Sequence, residues 1–441
     1  MNRIKQFTLS IFFAWLAFPG ITQEHPAHLT LQQAIDTALR NNEDLTLAEL
    51  DEKIAASRFR ETSAIFLPQV DFSYTALTTN NPLNAFGFKL QQQTVKQSDF
   101  NPELLNNPGS RADFMTKIQV QQPLINPDMF YLRKAAAKES DLYHLKSIRT
   151  REYIVFAVQK AYMQLQLARD AVVVLEEALQ TARSMYSFTN NRVEQGLLQK
   201  SDALNVKVHV TSIETKLAEA NSNVKNAADY LSLVMGKEYG IVYQTDPLPR
   251  EAPATSLADT TVPVNRADFA AMQKAIEASE LVIQSGKKSY LPKLNAFAAY
   301  QLNDAAVTGF GANSYLAGIQ LSWNIFRGNS LKNKISTQQL QRNKLAEELN
   351  KQQRESQLEL NKIRRQLADA AYRINQQQAA VQQAAEALRI LEDRYEQGLV
   401  NSTDVLLAQT QLAQQKLELV QAFFQYNLTA AYAKFLTTNT K

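Results

Sequence analysis

Apolar residues return at every seventh position over long tracts of this chain. In the second half Leu360, Leu367, Ile374, Val381, Leu388 and Tyr395 fall seven apart, and Ile363, Ala370, Gln377, Ala384 and Leu391 each lie three residues after a member of that series. Subtracting 202 from these numbers gives Val158, Leu165, Val172, Leu179, Tyr186 and Val193, then Ala161, Ala168, Leu175, Ala182 and Thr189, a seam in the same register. A seven-residue repeat held over about six heptads specifies helices packed as a left-handed coiled coil. The two tracts, about 127–190 and 329–395, would each be about 100 Å long at about 1.5 Å per residue.

Each tract runs into the same turn. Arg192-Val-Glu-Gln-Gly-Leu-Leu-Gln-Lys-Ser-Asp-Ala-Leu204 recurs as Arg394-Tyr-Glu-Gln-Gly-Leu-Val-Asn-Ser-Thr-Asp-Val-Leu406, again 202 residues later. Gly196 and Gly398 sit where a helix C-terminus needs a left-handed residue, and Ser201 or Asp202, and Ser402 or Thr403, can cap the next helix. The three-four apolar spacing resumes over about 201–236 and 402–436, so each unit ends in an antiparallel helical hairpin. The returning helices are about half as long as the tracts, and the helical patterns at 29–65 and 264–289 match the shortfall. End-to-end stacking would complete the second column.

Before each long tract the period changes from helical to two. Val70, Phe72, Tyr74 and Ala76 alternate with Gln69, Asp71, Ser73 and Thr75, and Ala317, Ile319, Leu321, Trp323 and Ile325 alternate with Gly318, Gln320, Ser322 and Asn324. Four strands follow, at about 66–78, 113–125, 291–302 and 314–326, with the length and alternation of outer-membrane barrel strands. Four strands cannot close a barrel, which needs about eight even when filled by side chains, so strands facing lipid would force oligomerisation. Phe66, Phe114, Tyr290, Tyr315 and Trp323 suit an interfacial girdle. The interval from Pro68 to Ile118 exceeds that from Pro292 to Ile319 by 23 residues, which predicts a long polar external loop through Asn80–Phe88 and Phe100–Pro102.

Composition narrows the class. The chain of 441 residues has only 12 glycines and no cysteine. Scarce glycine means few turns and long elements. Absent cysteine excludes disulfides, thiolate metal sites, a cysteine nucleophile and N-terminal thioether acylation, so the chain is expected to be unlipidated. A formal charge of +4 leaves no electrostatic footprint for nucleic acid. Arg3 and Lys5 precede an apolar run from Phe7 to Phe18 that Pro19 and Gly20 break, the layout of a signal peptide over 1–22. The expected division is a first repeat at 23–236, a linker at 237–263 and a second repeat at 264–441, mainly α with a small β part.

Taken together, the duplicated units, the Leu67-Pro68 and Leu291-Pro292 strand starts, the Gln122-Pro-Leu-Ile125 strand end and the two Gly-Leu-x-x-x-Ser/Thr-Asp motifs resemble the TolC family of outer-membrane efflux proteins. That resemblance implies a homotrimer in which long helical hairpins form an α-barrel and four strands per chain contribute to a 12-stranded transmembrane β-barrel. It implies partners, a periplasmic adaptor (membrane fusion) protein and an inner-membrane pump, and a location in the outer membrane of a Gram-negative bacterium, extending into the periplasm. By motif, Asp202 and Asp404 match the family's acidic pore residues at the hairpin tips, while Leu407 stands where a second acidic residue is expected. The resemblance also places Lys237–Pro263 at the equator of the rod.

From the residues themselves, Asp202 and Asp404 have a second explanation as first-turn acids that complement a helix dipole. Adaptor docking is assigned to the tip turns, with Gly196, Leu197, Ser201, Gly398, Leu399 and Thr403 as candidates. Arg192, Glu194, Arg394 and Glu396 read as surface charges. His25, His28, His144 and His209 have no metal-ligand spacing, and Gly286-Lys-Lys-Ser289 lacks the glycine and hydroxyl of a phosphate loop. No catalytic constellation, cofactor site or metal site is expected, so the chain reads as a passive efflux duct rather than an enzyme. The alternatives are an outer-membrane component of type I polypeptide secretion and, from another class, a soluble periplasmic coiled-coil adaptor or scaffold.

Overall fold

The computed structural model describes residues 28–250 and 261–439; the expected signal peptide, His25 and part of the 237–263 linker lie outside them. In chain order the elements are β1 (His28–Leu29), α1 (Leu31–Asn41), α2 (Glu43–Glu61), β2 (Gln69–Thr79), α3 (Pro82–Gln91), α4 (Pro102–Asn106), β3 (Arg111–Ile125), α5 (Pro127–Glu194), α6 (Lys200–Met235), β4 (Gln244–Thr245), α7 (Ala267–Lys288), β5 (Lys293–Asp304), β6 (Ala312–Ser322), α8 (Ser330–Glu396) and α9 (Ser402–Thr437). The molecule is mostly helical with few strands. Among the described residues no helix is long and apolar enough to cross a membrane.

α5 and α8, of 68 and 67 residues, are the two rods. Their seam residues supply the core: Val158, Ala161, Leu165, Leu179 and Ala182 are buried on α5, and Leu360, Ile363, Leu367, Ala370 and Ile374 on α8. α6 packs along the lower length of α5 and α9 along α8, while α2 and α7 occupy the remaining length of α5. Small side chains on one face of a rod let backbones approach closely, and burial of the apolar stripe supplies most of the stability of such long helices.

The short helices meet the returning helices end to end. Asn42 separates α1 from α2: its backbone turns to ψ 130°, its Oδ1 accepts from Leu45 N at 3.1 Å, and its Nδ2 donates to the Val234 carbonyl at 2.8 Å. One helical stretch in the sequence is thus two helices, because an asparagine side chain serves as N-cap. α6 stops there at Gly236, where φ is 64° and an added Cβ would collide with the Asn41 carbonyl oxygen. At the other junction Arg266 Nη1 donates to the Leu436 carbonyl at 3.3 Å.

β2, β3, β5 and β6 form one antiparallel sheet in that order. Its register places Phe72, Ile118, Tyr300 and Tyr315 in one cross-strand row and Val70, Val120, Ala298 and Ala317 in another. Because side chains alternate with period two, the opposite face carries Asp71, Ser73, Gln119, Lys117, Gln301 and Ser314. β6 ends at Ser322, short of the 326 that alternation suggests, since its partner begins only at Lys293, after Pro292. Trp323 instead donates its indole N–H to the Tyr290 carbonyl at 2.9 Å. The segment between β2 and β3 is not an open loop. Asn81 and Asn101 cap α3 and α4, each followed by proline at the first helical position, and Lys89 pairs with Asp99 across them.

Candidate functional site at the hairpin tips

Both rods end in the same local structure. At the first tip Gly196 has φ 74°, its N–H reaches the Val193 carbonyl at 3.0 Å and the Leu197 N–H reaches the Arg192 carbonyl at 2.9 Å. At the second, Gly398 has φ 75°, its N–H reaches the Tyr395 carbonyl at 3.0 Å and the Leu399 N–H reaches the Arg394 carbonyl at 2.9 Å. This pair of reverse bonds satisfies the last carbonyls of a helix and requires a left-handed residue. The turns leave Leu197 and Leu399 exposed, with Ser201 and Thr403 exposed beside them.

The caps differ from those the sequence suggests. Gln199 and Asn401, rather than the hydroxyl residues after them, occupy the cap positions. Asp202 is in the first turn of α6, and its carboxylate accepts from the Gln199 backbone N–H at 3.2 Å. At the second tip the Asn401 side chain accepts from the Asp404 N–H at 2.9 Å, and the Asp404 carboxylate is left exposed. Ser402 is buried with an unpartnered hydroxyl, and Leu407 is exposed.

The two tips are tied together within the chain. Met185 of α5, Val206 of α6, Leu388 and Tyr395 of α8 and Val405 of α9 form one buried cluster. Beside it the Thr189 hydroxyl and the Tyr395 phenol share a buried hydrogen bond of 2.9 Å. Arg192 Nη2 donates to the Glu396 carbonyl at 2.6 Å and its guanidinium stacks 4.7 Å from the Phe188 ring. Arg192 therefore joins the tips, where the sequence reads only a surface charge. The one available signal was polar: Thr189 and Tyr395 both fall on seam positions, where a hydroxyl must find a partner.

Among the described residues no group of acidic, histidine or cysteine side chains could hold a metal ion. His28 faces Asp246 and His144 faces Glu52, whereas the Nε2 of His209 is buried without a partner.

A family model described as outer membrane efflux protein matches residues 34–237 and 262–434. The probable outer membrane lipoprotein SilC of Salmonella typhimurium is 22% identical over 304 residues, 66% of this chain and 60% of SilC, so the match spans less than two thirds of that relative. CusC has a similar fold, with a TM-score of 0.79 at 15% identity, covering 93% of this chain and 92% of that one. The CmeC outer membrane channel of Campylobacter jejuni gives 0.77 at 16%, over 92% and 85% of the two chains. The outer membrane protein VceC of Vibrio cholerae gives 0.73 at 18%, over 93% and 97%.

Proposed function

This chain belongs to the outer membrane efflux protein family, a family of transport proteins rather than enzymes, and on that premise we propose that it is the passive outer-membrane duct of a tripartite efflux system. Three copies close a 12-stranded barrel in lipid and continue as an α-barrel into the periplasm. A periplasmic adaptor docks at the turns of Gly196, Leu197, Ser201, Gly398, Leu399 and Thr403, and an inner-membrane pump supplies the energy. Asp202 and Asp404 line the closed end of the bore.

One observation carries this reading: the face of the sheet that bears Phe72, Ile118, Tyr300 and Tyr315 is apolar and exposed, with Phe72 at 69% and Tyr315 at 83%. Both outer strands, β2 and β6, have an unpaired edge in the single chain. A soluble protein would hide such a face and such edges. Lipid solves the first and sister strands the second. SilC is named a lipoprotein, whereas this sequence has no cysteine to acylate, so in this proposal the sheet alone anchors the chain.

The test is reconstitution of purified protein in planar bilayers, with cross-linking to count subunits. Trimers with discrete conductance are expected. A monomer stable in detergent-free buffer with no conductance would defeat the proposal. Replacing both tip aspartates by alanine should change closed-state current and cation preference; unchanged current would remove them as the gate.

A further inference from the structure

The two hairpins of the sheet end differently. β5 and β6 are joined by residues 305–311 alone, whereas the connection from β2 to β3 holds α3 and α4. α3 folds back over the end of the sheet farthest from the rods and packs on β3 and β6. Gln92, which caps it, donates at 2.9 Å both to the Ala112 carbonyl and to Asp113 Oδ1, and Asn303 Nδ2 donates to Asp113 Oδ2 at 2.8 Å. Ala85, Gln92, Asp113, Asn303 and Ala312 are buried there, and a polar network so satisfied holds a helix in one place.

The network fixes which face α3 covers. Asp113 lies opposite Leu77, and Asn303 opposite Met115 and Ala312. By alternation these side chains share the face of Lys117, Gln119 and Gln301, on the other side from Phe72 and Tyr315. Around α3, at about 100° per residue, Ala85 and Gln92 point to the sheet, which turns Leu83, Gly87 and Leu90 directly away from it. Leu83 is 82% exposed and Leu90 55%, and a Cβ added at Gly87 would meet nothing within 4 Å. The one charged side chain of α3, Lys89, is paired with Asp99, so nothing on the stripe repels a second copy of it.

In the duct reading, on which this inference rests, the polar face lines the bore. Twelve strands about 4.8 Å apart and tilted about 40° enclose a circle about 24 Å across between backbones. Three touching helices, each about 10 Å in diameter, just fit a circle about 22 Å across. Helices held against that wall therefore fill the mouth and meet at its centre. We propose that the three α3 helices of the trimer pack on one another through Leu83, Gly87 and Leu90 and close the outer mouth of the duct with an apolar contact. Such a constriction stops flow by excluding water. Gly87 lets the backbones approach, and two leucines per chain make a contact small enough to part for outgoing cargo.

The chain has no cysteine, so single cysteines report cleanly. The experiment uses the full chain in outer-membrane vesicles, with Leu83→Cys, Leu90→Cys or, at an exposed position on the bore wall, Ser73→Cys. Symmetry sets each axial residue against its own copies, so oxidation or a short bismaleimide should join Leu83→Cys chains, and Leu90→Cys chains, into dimers. Ser73→Cys copies, about 21 Å apart on the same circle against a disulfide limit of about 7 Å, should stay single. Labelling of Ser73→Cys by a bulky maleimide added outside should become about tenfold faster once Leu83→Ser and Leu90→Ser are also present. Lysine cross-linking of the wild type counts subunits independently. Trimers in which neither axial cysteine cross-links, or whose labelling rate the serines leave unchanged, would overturn the closed mouth and leave the duct reading standing. Wild-type chains that give no trimer would overturn both.

Discussion

At the first tip turn Gly196 and Leu197 close the helix with bonds of 3.0 and 2.9 Å, and at the second Gly398 and Leu399 repeat both distances. The backbone is the same, yet the carboxylates three residues into each following helix are not equivalent. Asp202 is spent on the Gln199 N–H. The Asp404 carboxylate is exposed, and at that tip the Asn401 side chain, short and well suited to capping, accepts from the Asp404 backbone N–H. The repeated motif thus dictates the turn, while the cap residues and the bonds their acids make differ between the tips.

The junctions between stacked helices diverge further. The first uses a neutral side chain, Asn42, and a glycine pressed against a backbone. In the second, Arg266 is 3% exposed. It grips both oxygens of Asp268 at 2.7 and 2.8 Å, donates to Ser356 Oγ at 2.8 Å and lies 4.1 Å from the Phe269 ring. Burial pushes the pKa of Asp268 up, but Arg266, helped by Arg149 and the Phe269 backbone N–H, holds the carboxyl below its ordinary value.

The largest effects should come from these junctions. Arg266→Met strands a partly buried carboxylate and should cost about 3 kcal/mol. Gly236→Ala, which adds a steric clash to a positive φ, should cost about as much, whereas Asn42→Ala should cost about 1–2 kcal/mol. Denaturant or thermal melts of the reconstituted protein measure all three, and an Asn42→Ala loss equal to that of Arg266→Met would erase the contrast between the junctions.

Acid sharpens the same comparison. Because the folded pKa of Asp268 is depressed, its contribution is complete above the ordinary value of 3.8 and disappears as pH falls through the lower folded value. The stability gap between wild type and Asp268→Asn should therefore be constant near neutrality and close in strong acid, while Asn42→Ala shows no such closure. A gap that widens toward acid would contradict the assigned direction.

Smaller effects belong to the tips. Gly196→Ala and Gly398→Ala meet nothing within 4 Å, so each should cost only the left-handed strain of about 1–2 kcal/mol, and by equal amounts. Hydrogen exchange at the ends of the rods reads this locally, and unequal losses would show that the turns are not equivalent. Smallest are the caps: Asn401→Ala should cost about 1 kcal/mol, Asp202→Ala a few tenths, and Asp404→Ala nearly nothing in stability.

The mainly helical fold was open to sequence reading because a seven-residue apolar repeat is a local signal: each residue states its own face, and Leu360, Leu367 and Ile374 are buried accordingly. Two-residue alternation did the same for the sheet, since Phe72 and Ile118 needed only their immediate neighbours to declare a face. Glycine in Gln-Gly-Leu marked both tip turns for the same short-range reason. The sequence alone, then, determined the periodicities, the turns and the duplication. Only tertiary structure decided that Thr189 meets Tyr395, that Arg192 reaches the carbonyl of Glu396 and that Arg266 reaches Leu436. Those pairs lie between 170 and 206 residues apart in the chain. No local pattern encodes them, because their partners are fixed by how rods of about 100 Å slide into register against each other.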